Sequence, residues 1–299
     1  WPKFQQYNGE TISGIINFDL RKKISNLAKI THTTDFIILL SSIMILLSKY
    51  SHQKDITVGI PSNGRISKDL ENILGMFVNT LPIRENILED QNFIYILKQI
   101  KSRCLGAYNH QLYSIDKMLE VCNIEQDLSR NPLFSVMVTM QEIENISIND
   151  GLDIERVKID SGISKFDLSF HINKNNNNEI FYDIEYATSL FEKESIDLLN
   201  HRFVEILNSL VSNPYKKLAE ISLCDKIEQF ELFNKLNDTE ISFRIDKTVL
   251  DLFEEIAQKY SNLTAIDDGD VCLSYGELKK YIDFYAFFLK NKGIKPGDF

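Results

Sequence analysis

Apolar residues recur at three- and four-residue spacing from Phe18 to Lys29, which predicts an amphipathic helix. A second helix is predicted to run to about Lys49, with Thr34 or Asp35 as its cap. A side-chain oxygen there accepts hydrogen bonds from the free amides of the first turn. Its centre, Phe36 to Leu47, is apolar except for Ser41 and Ser42. That run falls short of the roughly 20 apolar residues a membrane span needs, so it reads as a buried helix. Ile56 to Ile60 then reads as a short buried strand, ended by Pro61 and Gly64. Phe93 to Tyr108 again has helical spacing with one apolar face.

The middle of the chain changes period. Leu133 to Met140 is apolar and β-branched and predicts a strand, as do Phe166 to Ile172 and Ile180 to Tyr186. Between the last two lie Lys174 and the asparagines 175 to 178, a polar loop that tolerates left-handed backbone and predicts a hairpin. Glu192 to Val211 returns to helical spacing and stops near Asn213-Pro214. Ser222 to Lys247 has mixed periodicity and reads as a connector. A second unit follows: helix Val249 to Tyr260, short strands Thr264 to Ile266 and Val271 to Ser274 around Asp-Gly, and helix Tyr275 to Lys292. Strands alternating with helices predict an α/β sandwich in which helices pack on a mixed sheet.

Composition narrows the function classes. Over 299 residues the chain is 43% hydrophobic and 25% charged, ordinary for a globular protein with a real core. The net charge of -10 and the lack of a basic cluster argue against nucleic acid as a partner, and no membrane partner is expected. Cys104, Cys122, Cys224 and Cys272 form no close pair, so no metal site is expected and reduced thiols of a cytoplasmic protein are. There is no Gly-x-Ser-x-Gly elbow, Walker loop or Gly-x-Gly-x-x-Gly. Both ends, Trp-Pro-Lys-Phe and Lys-Pro-Gly-Asp-Phe, read as cut from something longer.

Four stretches carry a resemblance. Val58-Gly59-Ile60-Pro61-Ser62-Asn63-Gly64-Arg65 resembles Val-Gly-x-Pro-x-x-x-Arg, and Gly75-Met76-Phe77-Val78-Asn79-Thr80 resembles Gly-x-Phe-Val-Asn-Thr. Asn109-His110-Gln111 begins like a His-Gln-Asp-x-Pro-Phe motif but continues Leu112-Tyr113-Ser114. Ser129-Arg130-Asn131-Pro132-Leu133-Phe134 is similar to Ser-Arg-x-Pro-Leu-Phe, and its strand ends in Gln141. These are motifs, in order, of the condensation domains of nonribosomal peptide synthetases. From Leu250, and most clearly in Leu273-Ser274-Tyr275-Gly276-Glu277-Leu278, the chain is similar to the opening of an adenylation domain.

The resemblance implies a chloramphenicol-acetyltransferase-like sandwich lobe plus an incomplete N-terminal piece of an adenylation domain. It divides the chain into the C-terminal lobe of a condensation domain (1–221), a linker (222–247) and the adenylation start (248–299). The implied chemistry is amide-bond formation between thioesters carried on the phosphopantetheine arms of carrier proteins. The implied partners are those carriers, the N-terminal lobe and the adjacent adenylation domain. ATP and magnesium would serve the complete adenylation domain, beyond this fragment. The family's catalytic His-His-x-x-x-Asp-Gly is absent, so the fragment is expected to be inactive alone. Arg65 is expected to pair with the aspartate of that signature. Asn79 is expected to bridge backbone or line the channel, while Gly59, Pro61 and Gly75 shape backbone. Gln141, Ser129, Arg130 and His110 are channel or loop candidates, His110 being first of all a helix cap. The rival readings are a non-catalytic carrier-docking module and a stand-alone acyltransferase. Epimerisation or cyclisation subtypes stay open.

Overall fold

The computed structural model describes residues 1–124, 127–143, 161–239, 246–295 and 297–298. It separates into two compact units, Trp1–Glu231 and Leu232–Phe299.

In the first unit, strand β1 (Gly9–Ile16) leads to helices α1 (Phe18–Thr31) and α2 (Asp35–Ser51), then to the antiparallel pair β2 (Asp55–Ser62) and β3 (Asn79–Asn86). Helices α3 (Phe93–Asn109) and α4 (Ile115–Val121) follow, then β4 (Val136–Ile143), β5 (Leu168–Asn175), β6 (Ile180–Ala187), α5 (Lys193–Ser212) and the short α6 (Lys226–Phe230). The six strands form one mixed sheet in the order β1-β6-β5-β4-β2-β3. β4 runs parallel to both β2 and β5, and the other pairs are antiparallel.

Helices α1, α2, α3 and α5 cover one face of this sheet. Alternate strand residues meet them: Val58 and Ile60, Leu81 and Ile83, Val138, Phe170 and Ile172, Ile180, Tyr182 and Ile184. Helix α2 lies at the centre, with every residue from Ile37 to Leu46 buried. Thr34 caps it by accepting from the Ile37 amide at 3.3 Å. Its two buried serines are satisfied within the helix, Ser41 donating to the Ile37 carbonyl and Ser42 to the Ile38 carbonyl. Phe203 of α5 packs on the rings of Phe170 and Tyr182, with centroids 5.6 and 5.2 Å away. Burial pushes the Tyr182 hydroxyl and the Cys104 thiol up to about 12, so neither ionises in ordinary buffers.

The opposite face carries a different set: Thr57, Gly59 and Pro61; Met137, Thr139 and Gln141; Ser169, His171 and Asn173; Asp183 and Glu185. β4 and β5 start two or three residues later than their apolar runs. Their outer halves are polar because one face of the sheet is uncovered among the described residues. β1 escapes the pattern reading, since its glycines, threonine and serine leave little alternation.

In the second unit, α7 (Val249–Lys259), the hairpin β7 (Thr264–Asp267) with β8 (Cys272–Ser274), and α8 (Tyr275–Asn291) follow the predicted order. Both helices start with reciprocal capping boxes, Thr248 with Asp251 and Ser274 with Glu277. Among its described residues only Ala257 is buried.

Candidate functional site

The first two motifs meet at one end of the β2–β3 pair. The chain leaves β2 at Ser62, loops outward, and returns at Asn79, which lies opposite Ser62 in the ladder. Gly64 sits at φ +65, and a Cβ there would come 1.9 Å from the Phe77 carbonyl oxygen, so the loop closes only over glycine. Arg65 organises the loop from within. Its guanidinium donates to the carbonyls of Leu70, Ile73 and Gly75, and it lies over the Phe77 ring at 4.4 Å. The apolar tip is thereby held out in solvent, with Leu74 99% and Met76 90% exposed. No carboxylate pairs with Arg65 among the described residues.

Asn79 and the third motif are joined directly. The Asn79 side-chain amide donates to the Gln111 carbonyl at 2.7 Å and to that of Tyr113 at 3.4 Å, and its oxygen accepts from Thr80. The buried Ser62 hydroxyl donates to the Gln111 side-chain oxygen. This amide therefore ties the start of β3 to the α3–α4 turn. His110 is the C-terminal cap of α3, with Nδ1 2.9 Å from the Gly106 carbonyl oxygen.

The fourth motif packs under the first. A Cβ on Gly59 would lie 2.2 Å from the Phe134 ring, and Phe134 stacks on Phe166 with centroids 5.6 Å apart. Gly59 is the β2 residue in register with Met137 of β4. Pro61 stands two residues beyond that pair, where its missing amide breaks no central ladder. Ser129 and Arg130 clamp the N-terminal segment. Ser129 donates to Asp127 through its amide and hydroxyl, which holds the Asp127 carboxyl below the usual range. Arg130 pairs with the same carboxylate at 3.0 Å and lies over the Trp1 ring at 4.7 Å. The Trp1 indole in turn donates to the buried Asp167 at 2.8 Å.

Gln141 is exposed near the end of β4, on the face opposite the helices. Beside its strand, Thr139, His171 and Glu185 form a polar group that the motifs do not include. Thr139 Oγ1 lies 3.0 Å from His171 Nδ1, and His171 Nε2 lies 3.9 Å from Glu185 Oε2. The sequence signal for it is period-two alternation: each residue is the polar partner of apolar core neighbours.

The fold defines a mixed-sheet α/β lobe with helices on one face. The condensation-domain family profile matches residues 2–233, and the chain belongs to that family. It is similar to bacitracin synthase 3 of Bacillus licheniformis, 34% identical over 296 residues, which is 99% of this chain and 5% of the relative. It is 36% identical to tyrocidine synthase 3 of Brevibacillus parabrevis over 99% of this chain and 4% of that one. The chain thus spans about a twentieth of the length of each of these two relatives. Among solved structures, a four-domain nonribosomal peptide synthetase bound to AMP and glycine superposes at TM-score 0.84 and 21% identity, over 99% of this chain and 24% of that chain. The first condensation domain of the CDA synthetase superposes at 0.60 and 16% identity, over 75% of this chain and 50% of its own. The chloramphenicol-acetyltransferase-like fold is therefore that of condensation domains.

Proposed function

We propose that this chain supplies one lobe of a condensation domain that forms amide bonds between carrier-bound thioesters. In this reading an amine on one phosphopantetheine arm attacks the thioester carbonyl on another. The new C–N bond replaces the C–S bond, the thiol leaves, and the amine loses a proton. Proximity of the two arms supplies most of the acceleration. The observation that carries the reading is the convergence of four sequence-distant motifs. Ser62 and Asn79 both donate to Gln111, and Gly59 packs on Phe134.

Within that reading Arg65 has two uses. Its guanidinium now holds carbonyls of its own loop. In the assembled domain it exchanges some of them for the aspartate of the catalytic signature, a stronger, charge-assisted partner. Gln141 faces the channel, and His110, Ser129 and Arg130 hold loops around it. We further propose that residues 248–299 open an adenylation domain, for which Leu273-Ser274-Tyr275-Gly276-Glu277-Leu278 is the support. ATP and magnesium belong to the complete domain. The described residues gather no group of three His, Cys, Asp or Glu side chains suited to holding a metal ion.

The test uses two carrier proteins loaded with aminoacyl thioesters. A synthetase joining this chain to its upstream half forms the dipeptidyl carrier, detected by mass spectrometry, and the 299-residue chain alone forms none. Product from the isolated chain would overturn its expected inactivity. A longer synthetase that carries His-His-x-x-x-Asp-Gly yet forms no product would favour the carrier-docking reading.

A further inference from the structure

The polar group on the uncovered sheet face borders a pocket of about 420 Å³. Met137, Ile163 and Phe166 give it apolar walls, and His171, Glu185 and Lys165 give it charged or titratable ones. Thr139 engages His171 Nδ1 at 3.0 Å. That contact leaves Nε2 as the ring's second polar atom, 3.9 Å from Glu185 Oε2. This separation is too long for a hydrogen bond between the two. It suits a nitrogen with two N–H groups, standing about 2.9 Å from each acceptor and donating to both. Asp183 is in register with His171 on the neighbouring strand. Glu185 offsets Lys165 within the lining, and Asp183, which accepts from the Ser13 hydroxyl at 2.6 Å, adds a second carboxylate just outside it, so the surroundings favour a cation.

We infer that this pocket receives a substrate side chain ending in a primary amine on an aliphatic stem, and that it helps choose which carrier-bound residue the domain joins. The inference rests on the condensation reading. The methylene stem lies along Met137, Ile163 and Phe166, and the ammonium bridges His171 and Glu185. Thr139 is a positioning residue that fixes the imidazole ring. A site built to accept hydrogen bonds from a substrate rejects the analogue that lacks the donor, because its own polar groups are then buried unpaired.

The experiment uses the complete synthetase that contains this chain. Carrier proteins are loaded with ornithine or with its methyl-ended isostere norleucine, each tried once as donor and once as acceptor, and the initial rate of amide formation is read by mass spectrometry. The wild type is expected to favour ornithine at least about tenfold in one of the two positions. Glu185→Gln and His171→Phe should bring the two rates within about threefold of each other, while Thr139→Val keeps a reduced preference. A wild type that joins both residues equally in both positions overturns the inference and leaves the condensation reading intact. So does a Glu185→Gln variant that is active and keeps the full preference. A wild type that joins no pair of thioesters overturns the condensation reading itself.

Discussion

The two units solve the same problem with very different means. Residues 1–231 bury a continuous apolar cluster, in which Ile38, Leu39, Leu40, Ile43 and Met44 of α2 have no exposed surface. Residues 232–299 bury Ala257 alone among those described, while Phe284 and Phe287 of α8 are 63% and 66% exposed. Their helices are held instead by local devices, the two capping boxes and a Phe253–Tyr275 ring contact at 6.3 Å. Helix spacing and capping are thus legible and formed in both units. Among the described residues a core is formed in only one, and a core is what makes tertiary structure cooperative. Local signals specify elements, whereas long-range apolar burial decides whether those elements become a stable unit.

The contrast is broken most severely in the core. Leu40→Ala removes a fully buried side chain and should cost the first unit about 2–5 kcal/mol. Phe287→Ala in α8 should change stability by no more than about 0.5 kcal/mol, since the ring loses little burial. Denaturant titration of the chain, followed by fluorescence of Trp1 and by hydrogen exchange resolved to each unit, separates the two. If both substitutions had equal effects, the division between a cored and an uncored unit would fail.

Gly59→Ala comes next. The new methyl would meet the Phe134 ring at 2.2 Å, an overpacking expected to cost about 1–3 kcal/mol. Phe134→Leu should recover part of that loss in the double variant, because the clash is with the ring. Full additivity of the two losses would show that Gly59 is needed for some other reason.

Much of this is legible in the sequence, for specific reasons. Helix α2 is clear because ten successive residues are buried and Thr34 caps them. The Asn175–Asn178 turn is clear because Asn178 takes φ +58, a conformation asparagine tolerates. The chain order of the four motifs does not show that Asn79 holds the Gln111 backbone, or that Arg65 holds its own loop. Those contacts span 32 and up to 10 residues and depend on where β2 and β3 end. β1 is hidden because its pairing with β6 comes from the far end of the lobe rather than from its own alternation. The Thr139–His171–Glu185 group is hidden for the same reason: three strands bring together residues that no local spacing links.

A smaller loss is expected at the Arg65 loop. Arg65→Lys keeps the charge but removes the planar fork that reaches three carbonyls, so residues 66–78 should exchange amide hydrogens faster. Unchanged protection there would show that Phe77 packing alone holds the loop.

The smallest effect, and the sharpest test of the comparison, is acid. The Thr248 hydroxyl and amide hold Asp251 below the usual carboxylate range, and the Ser274 amide and hydroxyl do the same for Glu277. A carboxyl whose folded value is depressed contributes its full stabilisation above its unfolded value, about 3.9 for Asp and 4.3 for Glu. That contribution fades as pH falls below those values and through the lower folded ones. The first turns of α7 and α8 should therefore fray as pH falls below about 4. Helix α2 is capped by the neutral Thr34 hydroxyl and buried throughout its centre, so its own cap loses nothing over that interval. Hydrogen exchange, corrected for the intrinsic pH dependence of the chemical rate, should show protection dropping first at residues 249–252 and 275–278. Asp251→Asn and Glu277→Gln should flatten that dependence at their own helices. If α7, α8 and α2 lost protection together, the second unit would share a cooperative core with the first, and a local account of its helices would be wrong.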